Sequence, residues 1–112
     1  MEEAKPQEVE EYLTEEGRSP FGEWIDNLRD RNARVRIRVR LDRLSLGNFG
    51  DTKGLGGGLH ELRIDHDPGY RVYFGRAAGR IVLLLCGGTK QTQSQDIQLA
   101  REYWLNYGSR SS

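Results

Sequence analysis

Arg63, Arg71 and Lys90 are the side chains of this sequence best suited to holding phosphate. Arg63 lies in "HELRID" and Arg71 in "PGYRVYFG", two strand-like segments joined by Asp67-Pro68-Gly69. Side chains on a strand alternate between faces. Leu62 and Ile64 therefore share one face with His60, and Val72 and Phe74 form the matching face of the next strand. Glu61, Arg63 and Asp65 fall on the other side, as do Arg71 and Tyr73. The apolar face must meet helices, and an antiparallel sheet can leave its second face in water. That second face would carry Arg63, Arg71 and Tyr73 beside Lys53, in a glycine-rich loop, and Lys90, after a later strand. Guanidinium groups bind phosphate oxygens in pairs, and cations and rings stack on bases. Cross-strand pairing of the arginines with Glu61 and Asp65 would use the same residues with no ligand, at about 0–1 kcal/mol per exposed pair. Both readings stay open on pattern alone.

The elements that position these residues follow from period and punctuation. "EVEEYL" at 8–13 alternates weakly and reads as an edge strand. Ser19-Pro20 is an N-cap followed by proline at the first helical position, with Phe21, Trp24, Ile25 and Leu28 spaced as a helix over 20–29. "RVRIRVRL" alternates strictly, as a strand would, yet Ala33, Ile37, Leu41 and Leu44 form one helical stripe and Val35, Val39 and Leu46 a second. We assign 32–46 to a helix wedged between a sheet and another helix. Residues 47–59 hold six glycines and read as a mobile loop. Strands follow at 59–66, 70–76 and 80–87, the last so continuously apolar that both of its faces should be covered. A final helix spans 94–107, with Gly108 as its stop. The expected architecture is α+β: two N-terminal helices and a C-terminal helix on an antiparallel sheet. It forms one domain over 1–112, with 1–7 and 109–112 expected to be disordered.

Charge is zero overall but unevenly placed. Residues 1–16 hold seven Glu and one Lys, whereas 29–43 holds seven Arg and two Asp. Such blocks suit a polyanion, an acidic protein partner, or solvent. Single Cys86 ends an apolar run and reads as a core thiol of a cytoplasmic protein. No run is long enough to span a bilayer, so no membrane role is expected. His60 and His66 lie six residues apart, about 20 Å along a strand, too far to share a metal. We assign no metal site.

"HELRID", "PGYRVYFG", "IVLLLCGGTKQTQSQDI" and "AREYW" resemble the RelE/ParE toxin superfamily, in its HigB-like branch of addiction module killer proteins. The resemblance runs from about residue 8 to 105. It implies a RelE-like fold and a toxin that cleaves mRNA in the ribosome without metal or other cofactor. A 2′-hydroxyl attacks the neighbouring phosphate. By position, it implies that Arg63 contacts the scissile phosphate and Arg71 clamps it. Lys90 would stabilise the transition state or protonate the leaving oxygen. Lys53 would bind RNA, and Tyr73 would stack on a base. It also implies a neighbouring helix-turn-helix antitoxin, and operator DNA bound only through that antitoxin. The aspartate-tyrosine-histidine cluster of some relatives is missing near the C-terminus. His66 is a candidate base on the RNA path, because an ordinary histidine titrates near ~6.5. A plain surface histidine fits its place, where the strand enters the turn, better than a base does, and Glu61 and Asp65 are weaker candidates. The rival functions are a non-catalytic, ParE-like inhibitor of DNA gyrase, or a decayed toxin kept as a co-repressor.

Overall fold

The protein is described here by a computed structural model covering residues 4–111. Strand β1 (Glu8–Glu11) precedes helices α1 (Pro20–Asp26) and α2 (Arg31–Ser45). Strands β2 (Thr52–Gly56), β3 (Leu59–Ile64), β4 (Tyr70–Ala77) and β5 (Ile81–Thr89) follow. A short 3-10 turn, Lys90–Thr92, leads into α3 (Gln93–Ser111). The sheet order is β1-β5-β4-β3-β2. All neighbours are antiparallel except β1, which pairs in parallel with β5 at one edge. The α+β expectation holds, and the layout is compatible with a RelE-like fold.

The first face of the sheet is built as its pattern dictates. Ser19 caps α1 by accepting from the Gly22 N–H at 2.9 Å, and Asp30 caps α2 by accepting from the Ala33 N–H at 3.1 Å. Phe21 and Ile25 of α1 join Ala33, Ile37, Leu41 and Leu44 of α2 in a core with Leu62, Ile64, Val72, Phe74, Val82 and Leu84. The second stripe of α2 is a correction. Val35, Val39 and Leu46 are exposed, because α1 lies over β5 while α2 lies over β3. The arginine run is divided in the same way. Arg34 donates to the Leu28 carbonyl, and Arg40 donates to the carbonyls of Arg63, Phe49 and Asp51. Arg31, Arg36, Arg38 and Arg43 are exposed.

The second face is the larger correction. It is not open to solvent, because α3 covers much of it. Tyr12, Leu59, Tyr73, Leu83, Leu85, Cys86 and Ala100 form a second core there, with Ile97, Tyr103 and Trp104 against it. The helix can lie close because β4 and β5 present glycines to it. A Cβ at Gly75 would collide with the Trp104 ring, and one at Gly88 with the Asp96 carboxylate. An extra residue in β5 opposite the Tyr73/Phe74 step turns Leu85 and Cys86 to the same side. Both faces of β5 are therefore covered, as its apolar run requires.

Helix α1 ends at Asp26, β3 at Ile64 and β5 at Thr89, a few residues from expectation, and three regions depart further. The glycine-rich loop contains β2, and its glycines serve a hairpin turn: Gly57 and Gly58 have φ of 65° and 86°. Side chains of α3 hold that hairpin. Arg101 donates to the Leu55 carbonyl and Trp104 Nε1 to the Gly57 carbonyl, each at 2.7 Å. Helix α3 runs through Gly108, so 109–111 are helical. Its end is tied back by Arg110, which donates to the Leu13 carbonyl at 2.7 Å, and by the Tyr12 hydroxyl on Asn106 Oδ1 at 2.6 Å. Of the expected N-terminal disorder, 1–3 lie outside the described residues, and the Gln7 N–H donates to the Ser45 carbonyl at 2.8 Å. Among the described residues, no helix is long and apolar enough to cross a membrane.

Candidate functional site

Arg63 and Arg71 sit directly opposite each other on β3 and β4, and Arg71 in turn faces Gly88 on β5. Like charges opposite one another in a sheet repel. Glu61 removes that penalty. Its carboxylate is fully buried, accepts from Arg63 Nε at 3.0 Å, and lies 3.9 Å from Arg71 Nε. Its second oxygen accepts from Gln93 Nε2 at 2.6 Å, so the start of α3 completes the shell. Burial alone would raise the Glu61 pKa. The Gln93 and Arg63 hydrogen bonds, with both guanidinium charges, outweigh it and hold the carboxyl below its usual range. One buried anion thus orients two cations. Arg71 Nη1 also donates to the Tyr70 carbonyl at 3.1 Å, while its buried Nε makes no hydrogen bond.

A polar cleft of about 490 Å³ opens above this pair. Arg63, Arg71, His66 and Lys90 all line it, as do Asp51, Asp65 and Asp67. Lys90 reaches it because its N–H donates to the Gly69 carbonyl at 2.7 Å, joining the end of β5 to the β3–β4 turn. His66 enters from that turn. Its Nε2 lies 2.9 Å from Asp30 Oδ2, and its ring stacks on Tyr70 with centroids 6.1 Å apart. The bond to His66 is the main reason the Asp30 carboxyl titrates below its usual range, followed by the Ala33 cap.

Four of the six expected residues therefore meet in one cleft. Lys53 does not line it; it is exposed on β2, opposite Glu61. Tyr73 is a correction. It is fully buried beneath α3 and offers no ring to a base. Burial, then the charges of Glu61 and Asp96, push its pKa up. The strand alternation was right for Tyr73, but the face it pointed to is roofed. His60 stacks on Phe74 at 5.3 Å, outside the cleft. Cys86 is buried, and burial pushes its thiol up to about 12. Asp30 escaped the sequence reading. Its only signal was its place before α2, as a cap. Gln93 carried no chemical signal at all, since its partner is 32 residues away.

Residues 23–104 match the family described as Phage derived protein Gp49-like (DUF891). The chain is also similar to an uncharacterized protein of Haemophilus influenzae (strain ATCC 51907 / DSM 11121 / KW20 / Rd). The two are 47% identical over 81 residues, which is 72% of this chain and 82% of the relative.

Proposed function

The chain belongs to the Phage derived protein Gp49-like family (DUF891), and from that premise we propose that it is a toxin–antitoxin toxin that cleaves mRNA on the ribosome. The family is associated with toxin–antitoxin modules. The observation that carries the nuclease reading is the convergence of Arg63, Arg71 and Lys90, from three separate elements, on one polar cleft. Phosphoryl transfer needs fixed cations where charge develops on the equatorial oxygens. Arg63 and Arg71, locked by Glu61, supply a pair of guanidinium groups across one phosphate. Lys90, exposed at the cleft mouth, has the proton that a leaving 5′ oxygen requires. Lys53 extends the basic track along β2. The partners of this reading are mRNA, the ribosome and a helix-turn-helix antitoxin, which alone carries the complex to operator DNA.

The test is pulse expression of wild type and Arg63→Ala in a bacterial host, with growth and mRNA 5′ ends recorded together. Loss of one such donor costs roughly 10²–10³ in rate. Growth arrest with new frame-phased ends, lost in the variant, supports the reading. Arrest with intact mRNA would overturn it in favour of a target such as gyrase, and soluble protein without arrest in favour of a co-repressor.

A further inference from the structure

His66 and Asp30 are 36 residues apart in sequence and form a hydrogen-bonded pair at the wall of the cleft. We infer that His66 is the catalytic base of the cleft, taking the proton of an RNA 2′-hydroxyl, and that Asp30 is its positioning residue. The inference rests on the nuclease reading above and names the base that reading lacks.

The argument is one of tautomers. A neutral imidazole carries its proton on one nitrogen and a lone pair on the other. Beside a carboxylate, the proton belongs on the nitrogen that faces it. His66 Nε2 faces Asp30 Oδ2 at 2.9 Å, so Nε2–H donates and Nδ1 keeps the lone pair. Among the described residues no side chain or backbone donor bonds Nδ1, and the ring lines the same cleft as Arg63, Arg71 and Lys90. The ring is held by Asp30 on one side and by stacking on Tyr70. Its main chain is fixed too: the His66 N–H donates to the Ile64 carbonyl at 3.0 Å, and its carbonyl accepts from the Gly69 N–H at 2.7 Å. Asp30 is fixed as well, because its other oxygen accepts from the Ala33 N–H at 3.1 Å. The two carboxylate oxygens thus have separate duties, one in α2 and one in the cleft.

The step balances within the cleft. The 2′-hydroxyl proton moves to His66 Nδ1. The 2′ oxygen forms a bond to phosphorus, and the phosphorus–O5′ bond breaks with its electron pair on O5′. O5′ takes a proton from the Lys90 ammonium. The products are a 2′,3′-cyclic phosphate and a 5′-hydroxyl, and water returns the proton from imidazolium to amine. The titratable and charged groups around the cleft that His66 lines are Asp30 from α2, Asp65, Asp67 and Tyr70 from the β3–β4 hairpin, Asp51 from the segment before β2, and Arg63, Arg71 and Lys90.

Asp30→Asn separates positioning from folding. Asparagine caps a helix as well as aspartate does. Its single oxygen is then used by the Ala33 N–H, and its amide N–H₂ turns to His66 Nε2. That forces the ring proton onto Nδ1 and removes the base. The same exchange behind a catalytic histidine costs on the order of 10⁴ in rate. The experiment mixes purified full-length protein with ribosomes holding a defined mRNA, from pH 5 to 9, and reads cleavage rates and melting temperatures. The wild-type rate should rise with pH as the base loses its proton, and then level off. His66→Ala should lose roughly 10²–10⁴ in rate and the pH-dependent limb with it. Asp30→Asn should match that loss while melting within a few degrees of wild type. If both variants cut within threefold of wild type and keep the limb, while Arg63→Ala is silent, the base assignment is wrong and the nuclease stands. If wild type leaves the mRNA whole, both fall.

Discussion

Replacing Glu61 by glutamine should unsettle the sheet and the cleft together. The carboxylate is 0% exposed, while the Arg63 and Arg71 side chains retain 36% and 13% of their accessibility. Removing one partner of a fully buried ion pair costs about 3–5 kcal/mol. Solvent at Arg63 screens part of that cost, and glutamine keeps one acceptor oxygen, so about 2–4 kcal/mol is expected here. For a chain of this size that is a fall in melting temperature of roughly 8–20 °C. Two guanidinium groups would then face each other across β3 and β4 with no anion between them.

The pH dependence distinguishes this account from simple loss of packing. The folded pKa of Glu61 is depressed, so its stabilisation is full above the ordinary glutamate value and is lost as pH falls through the folded one. Wild type should lose stability over roughly pH 5 to 3 more steeply than Glu61→Gln, which has no proton to gain there. Thermal melts followed by circular dichroism at pH 7, 5, 4 and 3 would measure both quantities. A variant melting within 2 °C of wild type at pH 7, with an equal acid slope, would refute the idea that Glu61 holds the arginines.

Gly75→Ala should destabilise by about 1–3 kcal/mol or more, because its Cβ meets the Trp104 ring; tryptophan fluorescence during urea unfolding would register the change. Cys86 should react with a thiol reagent at pH 8 only as the chain unfolds, since it is buried and its pKa is near 12; labelling rates across a urea series would check this. Val35→Ser and Val39→Ser should shift stability by less than about 0.5 kcal/mol, because both side chains are already exposed.

What the sequence disclosed was whatever one element states by itself. The Ser19-Pro20 start of α1, the Ala33-Ile37-Leu41-Leu44 stripe and the apolar β5 each carry their own period or cap, and each stands as read. The errors share a different cause. The glycines of 47–59 read as a loop, because the α3 side chains that hold β2 lie more than 40 residues away. Gly108 read as a stop, because Arg110 and Asn106 have their partners at the other end of the chain. The open face was an inference from strand alternation, and nothing in the arginine pattern announces the roof over Tyr73.

The same limit divides the site. Arg63 and Arg71 were singled out because strand alternation and a family resemblance both point at them, and Lys90 because of the resemblance and its place after the last strand; all three line the cleft. Their control elements were not legible. Two long cations opposite each other in a sheet repel, and here the anion that relieves them is Glu61, two residues along the same strand from Arg63. Alternation already placed Glu61 on that face, but burial turned it from a weak surface partner into the group that sets both guanidinium positions. Asp30 follows the same logic at longer range. A helix cap is a local signal, and its second oxygen is free to serve another element. Residues with a spare acceptor at an element's end are therefore where a cleft of this kind recruits its support. A search by local pattern finds the cap and not the histidine it holds.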